Sequence, residues 1–303
     1  MKEAVVLSGE GSSSMSLSRD RVEEKNVTMP KNKSDKSSVV KRRPPAATGA
    51  LARGLLLMNV FHREVRPMSL TDIASEVNLD LSTVHRLLRT LGEHGYVVRD
   101  DRTKSYLPGP KALSPLSLFH PLNQLRHEAR SVLESLRDST NETIALVLFV
   151  GTERLVVDFV RGNHSLSPYY DAWLTSPLHG SASGKLLLAW KSDDERHKMM
   201  GTAPYPKVTS HTVTETAAFF DYLNQVRLQG YAVARDDAFE GLIAIGSVLM
   251  HRHEGVPLGC VVMTGASDSV SAKAEVEIAN SIQAATALLI GSAPSLQALR
   301  QWV

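Results

Sequence analysis

Between Leu51 and Leu107 three runs of helical apolar spacing follow one another closely and give way at once to two β-rich runs, an order that leaves few folds open. Leu55, Met58 and Phe61, with Leu56 and Leu57 beside them, mark one face of a first helix. It must end before Pro67, because proline disfavours the helical conformation in the residue preceding it. Ser69 and Asp72 are spaced as a capping box, and Leu70, Ile73, Ala74 and Val77 make the apolar stripe of a second helix behind it. Asn78, Leu79 and Asp80 allow only a short turn; Asp80 with Thr83 supplies a second cap, and a third helix over 81–94 stops at Gly95. Residues 96–99 and 105–107 then predict two short strands around the polar turn 100–104. Three helices and a hairpin of this size make a winged helix-turn-helix.

In the third helix Val84, Leu87, Leu88 and Leu91 sit at i, i+3, i+4 and i+7 and face the core, which turns Ser82, Thr83, His85, Arg86 and Arg89 outward. Hydroxyls at a helix start suit phosphate or base contacts, and Arg pairs with guanine in a major groove wide enough to admit one helix. Arg99, Arg102 and Lys104 extend this basic surface onto the hairpin. A solvated helix face is the alternative reading of such residues; the tight succession of elements favours double-stranded operator DNA as the partner. Charge is divided to match. Residues 1–46 hold 10 Lys and Arg against 6 Asp and Glu, residues 47–111 hold 9 against 7, and residues 112–303 hold 15 against 19. The basic surplus lies where a polyanion would dock, and the acidic remainder argues against nucleic acid as its partner.

Four segments follow from composition and periodicity. Residues 1–46, rich in Ser, Lys and Asn, read as a disordered basic tail, 47–109 as the winged helix-turn-helix DNA-binding domain, 110–122 as a proline-broken linker and 123–292 as a second domain. In the second domain a helix over 122–140 leads to strands at 143–150 and 155–161 around the turn 151–154. Helices at 184–190, 193–200, 216–229 and 271–290 and strands at 231–234, 243–251 and 256–264 complete an α+β fold with a mainly antiparallel sheet. No run approaches the ~18 apolar residues of a membrane span, and Lys2 and Glu3 open a segment unlike a secretory signal. The single cysteine, Cys260, suits a reducing cytoplasm and offers neither an internal disulfide nor a zinc cluster.

The run Leu70-Thr71-Asp72-Ile73-Ala74, then Ser82-Thr83-Val84-His85-Arg86-Leu87-Leu88-Arg89-Thr90-Leu91, then Gly95-Tyr96-Val97, closely resembles the N-terminal domain of IclR-family regulators. Pro177-Leu178-His179, Ser183-Gly184-Lys185-Leu186-Leu187, Gly230-Tyr231-Ala232 and Gly241 resemble the landmarks of that family's effector domain. The likeness covers about residues 48–290. It implies a DNA-binding homodimer or homotetramer with a GAF-like domain that senses a small-molecule effector. It also implies an effector site formed by His179, Gly180, Ser181, Ala182, Ser183 and Gly184 against Ala234, Asp237, Ala244, Val262 and Thr264. This chain departs from the pattern at Ala234, where an acid is common, at Ala244, where a cysteine is common, and at Val262, where a serine is common. An apolar wall of this kind suits an aromatic or largely apolar effector with one acidic or polar end in preference to a two- or three-carbon acid. Backbone N–H groups near Ser183 and Gly184 would hold the acid, and Tyr169, Tyr170 and Trp173 are candidates to stack on a ring.

Other motifs fail on spacing. Gly180-Ser181-Ala182-Ser183-Gly184-Lys185 has three residues between its glycines and Leu186 after the lysine, where a phosphate loop needs four and a hydroxyl. Ser183 lacks the flanking glycines of a nucleophile elbow. His251, His253 and Glu254 read as turn residues before they read as metal ligands. No nucleophile, base and orienter form a set, so neither catalysis nor a cofactor nor a metal is expected. The rival classes are an enzyme built on the α+β domain and a DNA-architectural protein without a ligand.

Overall fold

The computed structural model describes residues 49–64, 66–114, 116–163 and 174–302; the basic tail and the aromatic trio Tyr169, Tyr170 and Trp173 lie outside them. Helices α1 (Ala50–Arg63), α2 (Leu70–Val77) and α3 (Leu81–Glu93) precede a hairpin of β1 (Val97–Arg99) and β2 (Tyr106–Pro108). They share one core: Leu57, Val60 and Phe61 of α1 meet Ile73 and Ala74 of α2, Val84 and Leu88 of α3, and Val97 and Tyr106 of the hairpin. The buried face of α1 is thus centred on Leu57 and Val60, while Leu55 is 56% exposed. Four consecutive apolar residues, 55–58, leave the phase of a helix undetermined, and packing chose it.

Local chemistry fixes the turns. Asp72 N–H donates to Ser69 Oγ (3.2 Å) while Ser69 N–H donates to Asp72 Oδ2 (3.3 Å), closing the capping box. Asn78 ends α2 in the left-handed conformation (φ 52°), and Asp80 Oδ1 accepts from Thr83 N–H (2.8 Å) to start α3. Met68 exchanges backbone hydrogen bonds with Tyr106 (3.1 and 2.7 Å), tying the entrance of α2 to the hairpin.

A short helix not expected from the sequence, α4 (Pro110–Leu113), follows the hairpin and is held to it. Gly109 N–H donates to Tyr96 O (2.7 Å), Lys111 N–H donates to Gly95 O (3.1 Å), and the Lys111 ammonium lies over the Tyr96 ring. The next helix, α5 (Pro121–Thr140), carries its own lead-in. Asn123 and Gln124 side chains donate back to the carbonyls of Ser117 (2.8 Å) and Leu118 (3.1 Å), and His120 Nδ1 accepts from Leu122 N–H.

The remaining strands are β3 (Thr143–Val150), β4 (Glu153–Val160), β5 (Tyr231–Arg235), β6 (Leu242–Met250) and β7 (Pro257–Ala266). They form one antiparallel sheet in the order β4-β3-β7-β6-β5. Alternate residues serve opposite layers. Ile144, Leu146, Ile243, Ile245, Val261 and Met263 pack with α5 and α9 (Ala272–Ser292). Ala145, Val147, Phe149, Ala234, Cys260 and Val262 pack with α6 (Ala182–Ala189) and α8 (Thr216–Gln229). Burial on both faces explains why β3 reads as a nearly unbroken apolar run. The β3–β4 turn is confined to Gly151 (φ 61°) and Thr152, so Arg154, read from the sequence as a turn residue, lies within β4. Helices α7 (Asp193–Met200) and α10 (Pro294–Ala298) and 3-10 turns at Leu178–Gly180 and Leu299–Trp302 complete the elements of the described residues, and no single helix among them is long and apolar enough to cross a membrane.

Candidate functional site

Two separate groups of polar side chains stand out, one on α3 and the hairpin, the other around the start of α6. On α3, Ser82, His85, Arg86 and Arg89 are exposed and Thr83 is half-buried. The Ser82 hydroxyl donates to Asp80 Oδ1 (2.6 Å), so its proton is committed to the cap and only its oxygen remains to accept from a ligand. That bond and the Thr83 N–H hold the Asp80 carboxyl well below the usual carboxylate range. Arg89 faces Glu93 at 3.5 Å across an exposed i,i+4 pair, whereas Arg86 has no carboxylate partner among the described residues. On the hairpin, the Arg99 guanidinium lies 5.7 Å from the Tyr106 ring centre. Asp100 Oδ1 accepts from Arg102 N–H (2.8 Å) and shapes the tip that carries Arg102 and Lys104, both exposed, with Lys104 left-handed (φ 59°).

At α6, a 3-10 turn over Leu178–Gly180 runs directly into the helix, whose cap is Ser181, accepting from Gly184 N–H (3.3 Å). A β-carbon on Gly184 would lie 2.3 Å from Leu178 O, so glycine there is a packing requirement. Gly180 approaches the Asp237 carbonyl, where its own β-carbon would be 3.5 Å away. Buried His179 donates from Nε2 to Pro206 O (2.9 Å) and lies beside the rings of Tyr205 and Phe219.

Buried Asp237 receives the Lys185 ammonium, which also donates to Val233 O (2.8 Å) and stands 4.8 Å from the Tyr222 ring centre. Burial pulls Lys185 down and the Asp237 charge opposes that pull. Asp237, expected to face an effector, is therefore already engaged by Lys185, a residue of the family-like run 183–187 that was not expected among the effector-site residues. Arg154, expected in the hairpin turn, lies instead within β4, because the turn closes two residues earlier than the sequence suggests. Its guanidinium reaches Ser181 and Ser183, and Gly184 N–H is taken by Ser181.

The apolar positions fall in adjacent rows across the sheet. Ala234, Ala244 and Thr264 are register partners in one row, and Ala232, Gly246 and Val262 in the next. Ala182 and Leu186 of α6 pack on this face, and a β-carbon on Gly246 would come 3.1 Å from Leu186 Cδ1. The small residues thus let α6 sit close to the sheet. Polar centres flank that contact, Arg154 with Ser181 and Ser183 on the β4 side and Lys185 with Asp237 on the β5 side. The His251, His253 and Glu254 turn holds Glu254 against Arg300 (2.8 Å), and among the described residues no three metal-ligand side chains cluster.

Burial, with a smaller push from Lys185, holds His179 below the ordinary histidine value, while Pro206 and Asp237 oppose the shift. The folded state therefore binds its proton less readily than the unfolded chain, and stability is retained above about pH 6.5 and lost as pH falls below it. The slope approaches ~1.4 kcal/mol per pH unit until the folded protein is also protonated. Urea titrations at pH 7.5 and 5.5 should show a larger loss for wild type than for His179→Gln, which keeps a donor for Pro206; equal losses would remove His179 as the source.

Residues 50–101 match the family described as the IclR helix-turn-helix domain, and residues 121–289 the family described as bacterial transcriptional regulator IclR C-terminal. The chain is 26% identical over 231 residues to the HTH-type transcriptional regulator XynR of Escherichia coli, covering 76% of this chain and 90% of that protein. It is 28% identical over 226 residues to the glycerol operon regulatory protein of Streptomyces coelicolor, covering 75% and 88%. Among solved structures, an IclR homolog from Microbacterium hydrocarbonoxydans complexed with 4-hydroxybenzoate superposes with a TM-score of 0.68 at 21% identity, covering 82% of this chain and 100% of that one. The Thermotoga maritima IclR gives 0.63 at 23%, covering 82% and 97%.

Proposed function

This chain belongs to the IclR family of DNA-binding bacterial transcriptional regulators, and from that membership we propose that α3 and the hairpin read an operator whose occupancy is set by a small acidic, largely apolar effector. The observation that carries the DNA half is the exposed row His85, Arg86 and Arg89 on a helix anchored by its opposite face. In this reading Arg86 and Arg89 contact base edges, His85, Ser82 and Thr83 contact bases or phosphates at the helix start, and Arg99, Arg102 and Lys104 contact backbone. One such helix spans few base pairs, so the active species is a homodimer or homotetramer on a two-fold site. The protein acts in the cytoplasm, without catalysis of its own, with residues 47–109 binding DNA and 123–292 binding effector.

The effector half rests on the start of α6 and the apolar rows of Ala234, Ala244 and Val262 beside it. Their lack of acid, thiol and hydroxyl favours an aromatic body over glyoxylate or pyruvate, and a structural neighbour that carries 4-hydroxybenzoate supports the same chemistry. Effector and operator are linked if the ligand binds one arrangement of the oligomer more tightly than another.

The test is footprinting of the full chain on the intergenic DNA flanking its own gene, with and without 4-hydroxybenzoate or glyoxylate. Protection of two inverted half-sites about one helical turn apart, shifted by the aromatic acid alone, is expected. Equal protection of an isolated half-site would overturn the two-fold reading; a response to glyoxylate alone would overturn the effector class.

A further inference from the structure

Three cations are deeply buried among the described residues, and Arg154 differs from the other two. Lys185 holds the Asp237 carboxylate and Arg196 holds Asp193 at 2.9 Å. Arg154, only 3% exposed, donates to Ser181 Oγ (2.5 Å), Ser183 Oγ (3.2 Å), Leu174 O (3.2 Å) and Ser176 O, all of them neutral acceptors. No carboxylate among the described residues lies in ion-pair range of it. A buried charge without a counter-ion is costly even when fully hydrogen-bonded, and burial pulls this guanidinium down to about 10.

Position adds to the charge. Arg154 is the register partner of Phe149, whose side chain packs on the sheet face covered by α6, and its guanidinium stands at the N-terminal end of that helix. The positive end of the helix dipole and a full positive charge therefore coincide, and an anion would neutralise both.

We infer that Arg154 is the charge-reading residue of the effector site and selects a monocarboxylate. The inference rests on the effector reading above. A carboxylate takes the place of the Leu174 and Ser176 carbonyls on Nη2, while the Ser181 and Ser183 oxygens keep accepting from Nη1 and the Ser181 hydroxyl keeps its own bond to Pro177 O (3.1 Å). This exchange ties occupancy to residues 174–177, which lead directly into the turn carrying His179.

The experiment is calorimetry on the full chain with three acid and amide pairs: benzoate and benzamide, 4-hydroxybenzoate and its amide, phenylacetate and its amide. Wild type is expected to bind the acids about 10-fold or more tightly than the amides, and Arg154→Gln to bring the ratio close to one. Should Arg154→Gln not fold, Arg154→Lys decides: a point charge in place of the fork should weaken acid binding about 10-fold and leave amide binding alone. Acid and amide bound alike by wild type, or unchanged acid binding in either variant, would overturn the role of Arg154 while leaving the effector reading intact. No binding by any pair would overturn the effector reading itself, and this role with it.

Discussion

Gly184→Ala is expected to destabilise the C-terminal sheet and its helices by about 3 kcal/mol or more, although glycine to alanine in a helix normally stabilises by about 1 kcal/mol. The added carbon would lie 2.3 Å from Leu178 O and 2.6 Å from Leu178 Cα, backbone atoms of the 3-10 turn that lead into the same helix. That turn cannot retreat cheaply, because His179 is bound to Pro206 and Ser181 to Arg154. Gly291→Ala, near the end of α9 with nothing within 4 Å of the new carbon, supplies the opposite sign in the same unit. Urea unfolding of both variants, followed by circular dichroism, separates close packing from propensity: the first should lose midpoint and the second should gain it. A neutral Gly184→Ala would mean that the turn and helix do not pack as described.

Arg86→Ala should weaken operator binding by about 1 to 3 kcal/mol, or about 5- to 150-fold, and relax preference at one base position. Arg86 has no ion pair among the described residues to give up, whereas Arg89 must leave Glu93, 3.5 Å away. Arg89→Ala is therefore expected to cost less than Arg86→Ala. Lys104→Ala should weaken all duplexes alike and lower the salt slope by about one. Titrations on operator and scrambled duplexes decide the matter, and equal losses on both for Arg86→Ala would remove that residue from base reading.

What the sequence made legible was the chemistry that acts between near neighbours. The Ser69–Asp72 box, the Asp80 cap and the glycine stop after α3 are interactions within four residues, and their residue types announce them. The phase of α1 was hidden because four apolar residues in a row suit several faces, and only the packing partners choose one. Arg154 was hidden by a displacement of two residues in a turn, enough to move a cation from solvent into the core. Its partners lie 20 to 29 residues away, and those of Lys185 about 50 away, separations at which spacing carries no signal. The apolar rows could be named from the family likeness, but their closeness to Leu186 could not.

The hydrogen bonds on either side of the segment between hairpin and α5 set how the two halves of the chain can move. Ser114 N–H is fastened to Pro110 O (2.9 Å) in α4, which is itself fastened to Gly95 and Tyr96, while Leu116 packs on the core beneath α5 and Asn123 and Gln124 of its first turn hold Ser117 and Leu118, so the described backbone between the two domains is anchored almost throughout. A tether so fully anchored transmits orientation more readily than it absorbs it. Under the proposed function, any response to an effector would reach the reading head through this mount, and the spacing between paired heads would be inherited from wherever the mounts are anchored.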